Sequence, residues 1–144
     1  MEWLHWKEKM KKFSKKTAKA ALHKKWSLAV RTRDGRCQWC GRTEGKMDAH
    51  HIVPKSVSLN AGRYELENGM TLCFRCHQHL LPTDPDGYIK FRDEWLKARG
   101  LDFHELRFKY REVRTPFTKD FYETKLMSVT ANGTRGMQRG VRNV

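Results

Sequence analysis

Acidic residues are the scarce charge in this chain. Only 16 Asp and Glu stand against 30 Lys and Arg in 144 residues, a formal net charge of +14 at pH 7. Such an imbalance attracts polyanions, and the phosphate backbone of nucleic acid is the polyanion it suits best. A charged surface that only keeps the chain in solution is the alternative that composition leaves open. Long apolar runs are also missing: no stretch is long enough to cross a bilayer, and residues 1–9 lack the apolar centre of a secretory signal peptide. The expected location is therefore the cytoplasm. Cysteine is limited to four residues, Cys37, Cys40, Cys73 and Cys76, in two C-x-x-C pairs with none left over. In a reducing compartment that usage favours a metal over disulfides. Internal repeats and low-complexity tracts are absent, so the chain reads as one domain with appended arms, with a core modest enough to gain from a structural staple.

What is present has clear periodicity. Trp3, Trp6, Met10 and Phe13 recur at spacings of three and four, predicting a helix that leaves Lys11, Lys12, Lys15 and Lys16 largely on other faces. These four lysines are candidate contacts to a nucleic-acid backbone, with a merely solvated face as the alternative. Leu22, Trp26, Ala29 and Val30 predict a second helical run, broken at Asp34-Gly35. Residues 37–40 should form a tight metal-binding turn, and residues 47–53 a strand ended by Pro54. Residues 55–69 read as a connecting loop, residues 70–72 as a second strand, and a short helix should begin around residues 73–77. A turn-rich stretch at 81–87 precedes a helix carrying Phe91, Trp95 and Leu96 that ends near Gly100, then a further helix over 101–113. From Ala131 onward, Gly and Arg without apolar periodicity predict a loose basic tail.

A C-x-x-C turn folds two thiolates around one ion, and two such knuckles complete a tetrahedral four-thiolate shell, the usual closed structural zinc site. The gap from Cys40 to Cys73 is longer than a compact zinc ribbon allows, so something is inserted between the knuckles. That insert contains His50 and His51. Four unmetallated cysteines are the alternative.

The stretch Asp48-Ala49-His50-His51-Ile52-Val53-Pro54, followed by Asn68-Gly69-Met70-Thr71-Leu72-Cys73-Phe74-Arg75-Cys76-His77, resembles the HNH nuclease motif in its cysteine-bracketed form. The likeness covers roughly residues 26–80. It is to phage and homing-type HNH endonucleases and, more distantly, to the nuclease domains of colicins. It implies an α+β fold, a small ββα-metal finger with a structural zinc site, flanked by helices. The expected layout is a basic helical arm at 1–25, the nuclease domain at 26–100, and a helical extension with a basic tail at 101–144. The resemblance further implies a metal-dependent DNA endonuclease with DNA as partner, zinc as structural ion, and Mg2+ or another divalent cation such as Mn2+ as catalytic ion. Carried over residue by residue, His51 is the general base, His50 and His77 are ligands of the catalytic cation, and Asn68 holds the backbone around His51. The family places this asparagine nine positions before the second metal histidine, as Asn68 stands before His77. Some relatives have a third metal histidine four positions later, where this chain has Leu81.

The same residues make chemical sense on their own. Phosphodiester hydrolysis needs a deprotonated water, charge to stabilise the pentavalent transition state, and help for the leaving oxygen. A neutral imidazole suits the first task, since its ordinary pKa of about 6.5 lies close to working pH. On a strand, His50 and His51 point to opposite sides and so have different jobs. Asp48, on the same strand face as His50, could accept that imidazole's spare N–H; an exposed strand aspartate and direct coordination of the cation are the alternatives. His79 falls about 200° around a helix from His77 and reads as non-ligating. His5, His23 and His104 have no motif around them and read as surface or packing residues. A single constellation predicts one cut strand at a time, so nicking. The competing reading is a zinc-stabilised DNA-binding module without catalysis, which needs the cysteines and the basic surface but not His50, His51, Asn68 and His77 in register.

Overall fold

The computed structural model describes residues 13–142, with side chains up to residue 130. Trp3, Trp6, Met10, Lys11 and Lys12 lie outside these residues. The first described helix, α1 (Lys15–Asp34), buries Ala18, Leu22, Trp26, Ala29 and Val30 along one stripe, as their spacing of three and four demands. Gly35 ends it in the left-handed region at φ 72°, donating its N–H to the Arg31 carbonyl. The helix crosses residue 25 without a break.

Two short strands, β1 (Met47–His51) and β2 (Gly69–Cys73), pair antiparallel with His50 opposite Met70 and His51 opposite Gly69. The first strand stops two residues short of the expected end. There the Val53 N–H donates to Asn68 Oδ1 at 2.7 Å instead of continuing the ladder. All of β2 is buried. A Cβ at Gly69 would lie 2.4 Å from Val30 Cγ2, so only glycine lets α1 lie directly against the strand. The outer edge of β2 is closed as well: Thr71 donates its N–H to Asp34 Oδ2 at 2.8 Å, and its carbonyl accepts from the Gln38 N–H at 2.9 Å. Arg33 donates to the Leu66 and Gly69 carbonyls, each at 2.7 Å. These bonds satisfy backbone groups that an edge strand otherwise leaves open to pairing.

Three expectations are corrected here. The segment 55–69 is not a loop but a helix, α2 (Lys55–Arg63), and a 3-10 turn, Leu66–Asn68. Val57 and Ala61, four apart, pack against the core, while Leu59 at φ 49° interrupts the regular helix and obscures its pattern. The turn-rich stretch 81–87 is largely helical. A π-helical turn, Cys76–Leu80, runs into a helical turn, Leu81–Thr83, and α3 (Pro85–Lys97) follows at once. Pro85 stands at the first position of α3, where the missing N–H has no partner to lose, and Asp84 caps α3 by accepting the Gly87 N–H. Beyond α4 (Phe103–Glu112), the last helix, α5 (Lys119–Arg142), carries the backbone through the expected loose tail. Its first half presents Phe121, Tyr122, Leu126 and Val129 to α1, and a helix nucleated by such packing extends at small cost per residue.

The architecture is thus α+β, a two-stranded hairpin among helices with four clustered cysteines. The hairpin separates two apolar clusters. Trp26, Val30, Leu22, Tyr64, Phe117 and Val129 lie on the α1–α5 side; Leu72, Met70, Val53, Leu96, Leu106 and Tyr110 lie on the side of the cysteines, α3 and α4. Among the described residues, no helix is long and apolar enough to cross a membrane.

Candidate active site

The two C-x-x-C pairs meet at the end of the hairpin. All four sulfur atoms lie within 4.8 Å of one another, and Cys40 Sγ is 3.7 Å from Cys73 Sγ. Metal–thiolate bonds of about 2.3 Å place tetrahedral sulfurs about 3.8 Å apart, so the donor set and spacing fit a zinc ion. Cys37, Cys73 and Cys76 are buried. Burial and the neighbouring cysteines push Cys76 up. Cys37 is also raised by burial, but backbone N–H bonds from Cys40, Cys73 and Trp39 outweigh it and bring the thiol down to about 7. A cation at this site would hold all four sulfurs as thiolates.

Strand alternation sends the adjacent histidines to opposite sides. His51 faces α1 and stacks on Trp26, with ring centroids 4.1 Å apart and planes 13° apart. Its Nε2–H donates to the Arg63 carbonyl at 2.9 Å, which leaves the lone pair on Nδ1. Asn68, wholly buried, sits behind it. Its side chain accepts from the Val53 N–H at 2.7 Å and donates to the Val53 and Gly62 carbonyls, each at 3.1 Å, while its own carbonyl accepts the Ile52 N–H at 2.9 Å. The chain leaving His51 and the helix bearing Arg63 are tied together by this one side chain.

His50 faces the other way. Its Nε2 is 2.6 Å from the Tyr88 hydroxyl, and its ring centroid is 5.2 Å from that of His77. Asp48 does not serve His50 as the strand-face argument expects. Its Oδ2 lies 3.2 Å from His77 Nδ1, because the π-helical turn after Cys76 swings His77 over the hairpin, while Tyr88 already holds the His50 nitrogen. His79 instead lies edge-on to Phe74, away from this pair.

Asp48, His50, His51 and His77 all line one open cleft of about 1010 Å³. Burial, then the nearby His77 and His51, holds the His50 imidazole down at about 3. Burial is also the main cause at His51, where Lys55, His23 and Arg63 add to it; together they outweigh the bond to the Arg63 carbonyl and bring the imidazole to about 4. Both rings are neutral at pH 7, with a lone pair available.

The cleft contains residues that no motif marked. Arg31 from α1, Lys46 before β1 and Lys55 at the start of α2 line it, and among the described residues Asp48 is the only carboxylate of its wall. Arg31 is steadied through Nε by the Ser27 carbonyl and hydroxyl at 3.2 and 3.3 Å. His23 also lines the cleft, stacked over His51 at 5.9 Å. Lys15 and Lys16 are exposed but do not line it. Helical spacing from Trp26 could have pointed to His23, three residues earlier; nothing local to Arg31, Lys55 or Tyr88 indicates the cleft.

Residues 37–81 match the family model described as HNH endonuclease. No curated protein and no solved structure matches the chain.

Proposed function

We propose, from the premise that residues 37–81 match the HNH endonuclease family, that this chain hydrolyses phosphodiester bonds of DNA in the cleft above its hairpin. The reading rests on one observation above the rest: His51 is held by Trp26 and the Arg63 carbonyl as a neutral ring whose remaining lone pair is on Nδ1. In that state it takes a proton from water. The hydroxide formed attacks phosphorus, the bond to one bridging oxygen breaks, and that oxygen leaves with a proton from solvent. Asn68 positions the base by fixing both backbone segments that hold it. His50 and His77, with Asp48 beside them, would hold the catalytic Mg2+ or Mn2+. Such an ion supplies charge that stabilises the phosphorane and the leaving oxygen. Cys37, Cys40, Cys73 and Cys76 would hold zinc, which anchors the end of β2 and the turn that presents His77.

Supercoiled plasmid incubated with Mg2+, Mn2+ or EDTA tests this directly. Cleavage is expected with a divalent ion and not with EDTA, and nicked circles should precede linear DNA because the chain holds one His50/His51/His77 constellation. Tight DNA binding without cleavage under any divalent ion would favour the non-catalytic module instead. Linear product formed at once, together with a dimeric mass, would show that two chains act in concert.

The cations along the cleft wall are proposed to pair with backbone phosphates, with Lys15 and Lys16 extending the track along α1; Lys11 and Lys12, the other two candidates, lie outside the described residues. Arg31→Glu and Lys55→Glu should each weaken binding to unrelated sequences alike. For every phosphate no longer neutralised, the log–log salt slope should fall by about 0.9. Binding titrations between low and moderate salt check this, and an unchanged slope in both variants would remove the cleft cations from the interface.

A further inference from the structure

The family match ends at residue 81, yet one side chain beyond it reaches into the histidine cluster. Tyr88, in the first turn of α3, is buried, and its hydroxyl lies 2.6 Å from His50 Nε2. The two rings meet nearly edge-on, at 82°. The phenol is itself seated against Trp39, at 5.8 Å between centroids, and Trp39 belongs to the Cys37–Cys40 knuckle. Asp84 fixes the start of α3 by accepting the Gly87 N–H, and its carbonyl accepts the Tyr88 N–H at 3.0 Å. The hydroxyl is thus placed from two sides, by the cysteine knuckle and by the helix cap.

We propose that Tyr88 is a positioning residue, its hydroxyl accepting the Nε2–H of His50 and so leaving Nδ1 as the nitrogen that His50 offers to a divalent cation. The inference rests on the reading of His50 as a ligand. A neutral imidazole carries one lone pair, and the nitrogen without a proton holds it. If Tyr88 donated to Nε2, that lone pair would be used and Nδ1 would carry a proton, leaving nothing to bind a cation. The facing histidine is arranged in the same way: Asp48 holds His77 at Nδ1, leaving Nε2 for the cation. Each ligand is therefore fixed through one nitrogen and offered through the other, His77 by a carboxylate and His50 by a phenol. The helix α3 becomes part of the site, although no residue of it falls within the matched segment.

Tyr88→Phe removes the hydroxyl and keeps the ring that packs on Trp39, so zinc content and circular dichroism should match the wild type. In zinc-loaded protein, Mn2+ affinity measured by electron paramagnetic resonance should fall about 10–100-fold, the usual loss when a partner that orients a metal-bound histidine is removed. Long-range 15N–1H spectra of the protein without Mn2+ should show wild-type His50 protonated at Nε2, and a tautomer mixture in Tyr88→Phe. Unchanged or tighter Mn2+ binding in the variant, or a wild-type His50 protonated at Nδ1, would overturn the proposal. Neither measurement depends on cleavage. A wild type that binds Mn2+ as described but leaves plasmid intact refutes the nuclease reading and not this one, whereas active cleavage with Mn2+ affinity indifferent to the hydroxyl does the reverse.

Discussion

Replacing His51 by alanine should lower the cleavage rate about 10²–10⁴-fold, or roughly 3–5 kcal/mol of barrier, while DNA affinity stays nearly unchanged. The separation follows from where the residue acts. A general base contributes in the chemical step, and the cations proposed to attract DNA are other residues of the cleft wall, Arg31, Lys46 and Lys55. Loss of the ring also removes a stack on Trp26, so melting temperature must be measured beside the rate, and His51→Gln keeps most of the volume as a second variant. His50→Ala and His77→Ala should behave differently, losing activity through the divalent ion and regaining part of it at high metal concentration. If His51→Ala cleaved at the wild-type rate while His50→Ala was inactive, the two roles would be exchanged. The pH profile offers a further reading of the same base. For the proposed base the neutral ring would be the active form, so rate should be lost as pH falls through its pKa, and burial first, then Lys55, His23 and Arg63, has brought that value to about 4. The wild-type rate should hold level from about pH 8 to about pH 6, whereas an unperturbed histidine would give an acid limb near 6.5. A limb at or above about 6.5 would contradict a desolvated base.

The second large effect concerns Cys73. Changing it to serine should remove the bound metal and the fold together, so that cleavage is lost without any change in the cleft's own residues. Cys73 is buried at the end of β2, paired with Met47, with its sulfur 3.7 Å from that of Cys40 and accepting the Cys76 N–H at 3.4 Å. Structural zinc sites in small peptides contribute about 10–16 kcal/mol at neutral pH, as much as or more than the 5–15 kcal/mol by which a whole domain is usually stable. Three thiolates and a serine hydroxyl bind the ion far less well, and the turn that carries His77 follows Cys76 directly. Metal analysis should find one zinc per wild-type chain and none in the variant, with a collapsed thermal transition by circular dichroism. A well-folded, active wild type without zinc would refute the assignment.

These two sites were legible in the chain to different depths. The cysteine pairs are local signals: a knuckle needs only two thiolates three positions apart, and the sequence places them so twice. Strand alternation is equally local, which is why the division of His50 from His51 follows from adjacency alone. The stripe Leu22, Trp26, Ala29 and Val30 and the glycine stop at Gly35 were readable for the same reason, each within a helical turn or two. The helix over Lys55–Arg63 was not, because Leu59 breaks its regularity and its packing partners, such as Tyr110, lie nearly fifty residues away.

Partner choice is where local reasoning ends. Asp48 and His50 share a strand face in any β-strand, but which imidazole the carboxylate meets depends on the course of the chain after Cys76, and it meets His77. Tyr88 comes within 2.6 Å of His50 because Pro85 and the Asp84 cap start α3 immediately after that turn. Arg31 and Lys55 look like any other cations among thirty in the sequence, and only the packing of α1 and α2 around the hairpin puts them beside the histidines. The sequence by itself determined the donor types and their register along the chain, since those depend on spacing within a turn or a strand. Which group meets each histidine, and which charges face the cleft, was decided by the tertiary structure, since both depend on groups brought together from distant parts of the chain.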